Sequence, residues 1–203
     1  MTRSIRTLGL ALAIAGTAGC ASTTIKDSWS DPKLAPSSLK FEKILAIAMM
    51  PDQTRRVAED EMVRQLGPRA TASYKFLSEE DLKNKEAAKT KVKEAGYDGA
   101  VIMRLTGKEQ RLSYVPGSYP APYYSFYGYY GYAGAAVYDP GYMTTDTIVS
   151  IETNVYSVTE DKLLWSGLSE TFNPANTVQL VTDVAKAVRG ALQKQGLIQA
   201  KAQ

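Results

Sequence analysis

From Lys43 to Met50 the chain reads Lys-Ile-Leu-Ala-Ile-Ala-Met-Met and is closed by Pro51. An apolar run this short predicts a strand buried on both faces. After it, Asp52 or Thr54 can cap a helix. Ala58, Met62 and Leu66 recur at i, i+4 and i+8, Val63 widens the stripe, and Gly67-Pro68 stops it. Ala70 to Leu77 reads as a second, weaker strand. Ser78-Glu79-Glu80-Asp81 has capping-box spacing and opens a helix to Ala95, with Ala88, Val92 and Ala95 inward and Gly96 closing it. A third apolar strand runs from Gly99 to Thr106. Beyond Gly107 the sequence turns polar through Lys108-Glu109-Gln110-Arg111, which predicts an exposed extension of that strand.

The pattern then changes period. Thr145 to Val158 alternates, with Val149, Ile151, Thr153 and Val155 on one face. Thr159-Glu160-Asp161-Lys162 is a turn, and Leu163 to Phe172 returns. These two segments predict an antiparallel hairpin whose polar alternate face is partly wet. Asn176 and Gln179 have the spacing of an Asx capping box. Val181, Val184, Val188, Ala191 and Leu192 form the apolar face of a last helix that Gly196 ends. The fold class expected is therefore α/β: β-α-β-α-β followed by an antiparallel hairpin and a final helix, on a mixed central sheet. One domain spans residues 41–198, with a tail at 199–203.

Residues 112–143 form an insertion of a different composition. Ten of the thirteen tyrosines lie here, and no charged side chain occurs between Arg111 and Asp139. Glycines and prolines interrupt every regular pattern. The candidate partner-binding residues are Tyr119, Tyr123, Tyr124, Tyr127, Tyr129, Tyr130 and Tyr132. Tyrosine offers a large rigid face and one hydroxyl, suited to stacking on sugars or packing against protein. A low-complexity loop without a ligand is the alternative.

The amino terminus adds an address. Arg3 and Arg6 precede an apolar stretch from Thr7 to Ala18, and Gly19 stands before Cys20, the single cysteine. The stretch is shorter than the roughly 20 apolar residues of a spanning helix. It has the layout of a bacterial lipoprotein signal, with Thr17 where such signals usually carry Leu. Cleavage would free residues 1–19 and leave Cys20 to carry a diacylglycerol and fatty acyl chains such as palmitate. By resemblance to enterobacterial lipoproteins, Ala21 rather than Asp after the cysteine implies the outer membrane, periplasmic side. Residues 20–40, rich in Ser, Thr, Lys, Asp and Pro, read as the lipidated end and a tether. Trp29 within it can dock on the domain edge or meet a partner.

Composition narrows the chemistry. The chain of 203 residues carries 24 basic and 21 acidic side chains, and loss of Arg3 and Arg6 leaves 22 against 21. That balance gives no footprint for nucleic acid. Histidine is absent and the one cysteine is taken by the anchor, so Ser-His and Cys-His nucleophiles and Cys/His metal sites are excluded. No glycine follows the first strand to make a phosphate loop. Arg55-Arg56 and Glu59-Asp60-Glu61 read as a solvated helix face, with an anion site at the arginines as the alternative. A catalytic carboxylate pair is the alternative for Ser78 to Asp81, where the cap accounts for every residue. No cofactor, metal or catalytic residue is expected.

Trp29-Ser30-Asp31-Pro32, Lys43-Ile44-Leu45-Ala46-Ile47, Ala95-Gly96-Tyr97-Asp98-Gly99-Ala100 and Leu164-Trp165-Ser166 resemble segments of a bacterial lipoprotein family whose shared domain has no assigned function. The element order resembles the envelope lipoprotein domains of penicillin-binding-protein activators, the curli secretion channel subunit and the amino-terminal domain of TolB. The resemblance implies an α/β envelope domain and carries over no binding or catalytic residue.

The expected function is thus a lipid-anchored, non-enzymatic envelope accessory or binding module, with another envelope protein or cell-wall glycan as partner. A cell-wall hydrolase using paired carboxylates and a lipoprotein self-associating through its Tyr/Gly stretch are the alternatives. Because the stretch lies outside both hydrophobic patterns, replacing residues 116–141 with a short Gly/Ser linker is expected to leave the thermal transition nearly unchanged. Calorimetry of the replaced chain checks this, and loss of cooperative unfolding would place the tyrosines in the core.

Overall fold

The computed structural model describes residues 22–78, 80–81, 84–115 and 141–199. A six-stranded mixed sheet of order β1-β6-β5-β4-β2-β3 is its frame. The strands are β1 (Ser22–Ser30), β2 (Ile44–Met49), β3 (Ala70–Ala72), β4 (Gly99–Val115), β5 (Tyr142–Ser157) and β6 (Lys162–Phe172). The helices are α1 (Asp52–Leu66), α2 (Lys85–Glu94) and α3 (Thr177–Lys194). β2 pairs in parallel with both β3 and β4, and all other pairings are antiparallel. The expected α/β architecture is present.

The two faces of β2 explain the layering. Ala46 and Ala48 face α1 and α3, and their small side chains let Ala58 and Met62 of α1 come close to the sheet. Val101, Val149, Ile151 and Trp165 extend that face, and Val181, Val184 and Val188 of α3 close over it. Leu45 points to the opposite side, where Tyr97, Leu77 and Ala100 make a smaller cluster with Val92 of α2. On this side Glu152, Asn154 and Ser166 are only partly covered, the wet alternate face that the hairpin pattern predicts.

Four expectations are corrected. Residues 22–30, read as tether, form edge strand β1, paired with β6 from Ser22↔Phe172 to Ser30↔Trp165. An edge strand bonds on one side only and keeps alternate side chains in water, so its composition imitates a linker. The chain from Asp31 to Lys43 then crosses beneath α3 as a strap. Ser37 N–H donates to Gly196 O (2.8 Å) and Leu39 N–H to Leu197 O (3.3 Å). Leu197 is buried in the core and Ile198 packs against it.

The second strand is only Ala70–Ala72 and gives way to a 3-10 turn at Ser73–Lys75. The helix expected from Ser78 to Ala95 restarts at Lys85, because Asn84 leaves helical geometry (φ −111°, ψ 96°) and its side chain accepts from Ala87 N–H. Asparagine offers the backbone that competing bond. The reciprocal cap at Ser78 and Asp81 is present: Ser78 N–H donates to Asp81 Oδ2 (2.9 Å) and Asp81 N–H to Ser78 Oγ (3.2 Å). α1 begins after Pro51 without a side-chain cap.

The segments that carry the family resemblance all hold this frame together. Asp98 accepts from Glu42 N–H and Lys43 N–H, both at 2.8 Å, fixing the strap to the start of β4. Asp31 is buried and pairs with Lys162. Trp165 has no exposed surface and donates from Nε1 to Gln195 Oε1 (3.0 Å). Its indole lies over Gly167, where an added Cβ would stand 2.2 Å from the ring. Gly167→Ala is therefore expected to destabilise the fold by about 1–3 kcal/mol. Urea unfolding checks this, and an unchanged midpoint would show that the indole has room to move.

Candidate interaction surface on an extended strand pair

β4 and β5 continue far beyond the other strands. A bulge between Leu105 and Gly107 bends the pair, which then runs in register from Gly107↔Ser150 to Val115↔Tyr142. The row Ser22↔Phe172↔Ile148↔Glu109 marks the level at which β1 starts and β6 ends. Past it, among the described residues, only these two strands continue, for six residue steps, about 20 Å at strand rise. We call residues 107–115 and 142–148 the arm. The exposed extension expected from Lys108 onward is its first half.

The arm is fastened at its root. Asn173, in left-handed geometry (φ 47°), accepts from Thr147 N–H (2.6 Å) and donates from its own N–H to Thr147 O (2.8 Å). Asn173 Nδ2 donates to Asp146 Oδ1 (2.9 Å), and Ser113 Oγ donates to Asp146 Oδ2 (2.6 Å). Those two bonds, Ser113 first, hold the Asp146 carboxyl below its ordinary pKa against a smaller opposing effect of burial. Asparagine tolerates this backbone and can tie a loop to a strand at both ends.

The two faces of the arm differ. Leu112, Tyr114 and Met143 share one face with Val149, because Tyr114 pairs with Met143 and Leu112 with Thr145. Ser113, Thr144 and Asp146 share the other. The first face continues the apolar side of the sheet past the point where α1 and α3 cover it. Leu112 is 73% exposed, and Tyr114, Tyr142 and Met143 are each about 60% exposed. Among the described residues ten large apolar side chains are exposed. Four are on the arm, and Met49, Leu105, Phe172 and Val178 surround its root. Only Trp29 and Val57 lie elsewhere.

Cys20 and Tyr119, Tyr123, Tyr124, Tyr127, Tyr129, Tyr130 and Tyr132 lie outside the described residues. The chain leaves the arm at Val115 and returns through Gly141, so both ends of the Tyr/Gly stretch are at the arm tip. Tyr114 and Tyr142 are the members of the tyrosine cluster that the structure describes. The apolar patch was missed in the sequence because Leu112, Tyr114 and Met143 come from segments 30 residues apart.

Arg55 and Glu59 do not lie on a solvated face. Glu59 is fully buried. Its Oε1 accepts from Arg55 Nε (2.9 Å), Ala48 N–H (3.1 Å) and Ser73 Oγ (2.7 Å), and its Oε2 from Tyr74 N–H (2.8 Å). Arg55 also donates from Nη2 to Ser73 Oγ (2.9 Å). The carboxylate pins β2, α1 and the 3-10 turn together, and Arg55 is committed to it rather than to an external anion. Arg56, exposed, stacks over the Tyr74 ring at 5.7 Å.

Glu61 plays the same part between helices. It takes two bonds from Arg64 (2.7 and 2.8 Å), one from Gln65 (2.7 Å) and one from Thr182 of α3 (2.6 Å). Burial pushes its pKa up, but the bonds from Arg64, Thr182 and Gln65 together outweigh this and hold it at about 2. Asp81 is also held at about 2, by Lys91 and then by Ser78. Among the described residues no cluster of His, Cys, Asp or Glu could hold a metal ion.

A cavity of about 190 Å³ opens between the sheet and the carboxyl-terminal halves of α1 and α3, lined by Phe41, Ile44, Met62, Leu66, Val155 and Val188. At its rim Arg189 donates to Gln65 O (2.6 Å). Among the described residues no helix is long and apolar enough to cross a membrane.

No family model and no curated protein matches the chain. Solved structures that it resembles include a PelC dodecamer from Paraburkholderia phytofirmans in two crystal forms. One is 10% identical with a TM-score of 0.44, covering 90% of this chain and 100% of that one. The other is 11% identical with a TM-score of 0.43, covering 89% and 100%. Lipoprotein GNA1162 from Neisseria meningitidis is 15% identical with a TM-score of 0.38, covering 75% and 98%. At these scores and identities the likeness assigns no function to this chain.

The two buried-side carboxylates make stability depend on acid. Glu61 and Asp81 titrate near about 2 in the folded chain, against ordinary values of 4.5 and 3.8. Their contribution is fully present above pH 4.5 and is lost as pH falls toward 2. Glu61→Gln is expected to flatten the fall of unfolding free energy between pH 4.5 and 2. Urea titrations at several pH values check this, and an unchanged slope would remove Glu61 from the account.

Proposed function

We propose that this chain is a lipid-anchored lipoprotein of the outer membrane that faces the periplasm and works as a non-enzymatic envelope accessory or binding module. The observation that carries the reading is the short apolar stretch ending at the single cysteine, Cys20. The fold agrees with it in one respect: β1 begins only two residues later, at the end of the sheet where exposed apolar side chains gather. A diacylglycerol and an amide-linked acyl chain on one residue give membrane attachment that a single chain does not. Ala21 after the cysteine favours the outer membrane over the inner one.

The binding part of the reading rests on the arm. Its two strands carry exposed Tyr114 and Tyr142 and lead into and out of the tyrosine-rich stretch of the sequence. Its partner in this proposal is another envelope protein or the cell-wall glycan.

Cys20→Ser is expected to abolish incorporation of labelled palmitate and to leave a soluble or unprocessed chain in place of an outer-membrane one. Equal labelling of the Ser variant, or unchanged membrane fractionation, would refute the anchor.

A further inference from the structure

We propose that the arm is a second membrane contact, its Leu112, Tyr114 and Met143 seated among the headgroups of a phospholipid surface. This deepens the lipoprotein reading and rests on it. Two residues reach at most about 7 Å, so a lipid on Cys20 lies close to Ser22. Ser22 is level with Phe172, Ile148 and Glu109, which is the root of the arm. The arm thus leaves the domain on the side where the acyl chains enter the bilayer.

The rest of the surface agrees with that orientation. At the opposite end of the sheet the exposed side chains include Glu42, Glu94, Glu160, Asp161 and Lys194, while the arm adds exposed Lys108, Glu109 and Arg111 beside its apolar residues, groups suited to the headgroup layer. The apolar side chains are gathered at the anchor end, and a patch of that kind marks a contact site. Tyrosine suits the interface between water and lipid, with its ring in the apolar layer and its hydroxyl among the headgroups.

The backbone limits the depth. Past the root, each arm strand pairs along one edge, and unpaired backbone groups are not tolerated in hydrocarbon. The arm therefore lies obliquely at headgroup level and does not cross. Because the anchor already holds the chain at the surface, this second contact acts within one molecule and a weak attraction suffices to seat it.

The test uses the lipidated full chain in phosphatidylethanolamine/phosphatidylglycerol vesicles at low protein density. Lipid occupies Cys20, so Leu112→Cys supplies a unique thiol for a nitroxide, and Glu160→Cys supplies the control at the far end. The label at 112 is expected to collide more often with oxygen, which enters lipid, than with a water-borne nickel chelate. The label at 160 should show the reverse. Chelate access at 112 equal to that at 160 overturns the proposal. So does shielding from both agents with dipolar broadening between labels, which would mean that a second copy covers the arm.

The mass of the same sample reports separately whether Cys20 carries lipid. If it does not, the anchor reading fails alone, and the arm is judged by sedimentation of the Cys20→Ser chain with the same vesicles. Binding at millimolar lipid that weakens at least tenfold in Leu112→Asp/Met143→Asp supports the contact. No binding, or binding unchanged by the aspartates, overturns it.

Discussion

The structure turns on a carboxylate with no access to water. Glu59 sits where β2 ends, α1 passes and β3 gives way to a 3-10 turn, and it accepts one bond from Ala48 of β2, one from Arg55 of α1 and two from Ser73 and Tyr74 of the turn. A buried charge is tolerated only when it is paired and its lone pairs are satisfied. Here the donors come from three parts of the fold, so the charge is satisfied only when β2, α1 and the turn meet in one arrangement. Glu61 extends the constraint to α3 through Thr182. Such groups add less to net stability than to the choice of one packing over its neighbours. They also explain why α1 carries so few large apolar residues: carboxylate bonds replace part of its hydrophobic docking.

Around this hub the chain closes its own edges. β1 covers the outer edge of β6, and Lys26 pairs with Glu170 across the two strands. The strap from Asp31 to Lys43 ties the end of β1 to the start of β2 and meets the chain that follows α3 at Gly196 and Leu197. Both ends of the domain therefore belong to one bonded layer.

The arm shows one alternation in two settings, under the helices and beyond them. In the domain, alternation puts Val149 and Ile151 against α1 and α3. Six residues toward the tip the same alternation puts Tyr114 and Met143 on that face with no helix above them. The bulge after Leu105 and the clasp of Asn173 on Thr147 and Asp146 fix where the first regime ends. Most of the exposed large apolar side chains among the described residues lie at this end.

Periodicity alone determined the β-α-β-α-β order, the hairpin, the final helix, the caps at Ser78 and Asn176, and the polar continuation of β4, since each depends on residues near in sequence. Cys20 and the tyrosine stretch were equally visible, being matters of composition. Only the tertiary structure decided the rest. β1 reads as linker because an edge strand needs few apolar residues, and what makes it a strand is β6. Glu59 and Glu61 read as solvated acids because their partners, Ala48, Ser73, Tyr74 and Thr182, are brought to them by packing. Leu112 and Tyr114 alternate within β4, but the apolar patch of the arm is completed only in the register that places Tyr114 opposite Met143.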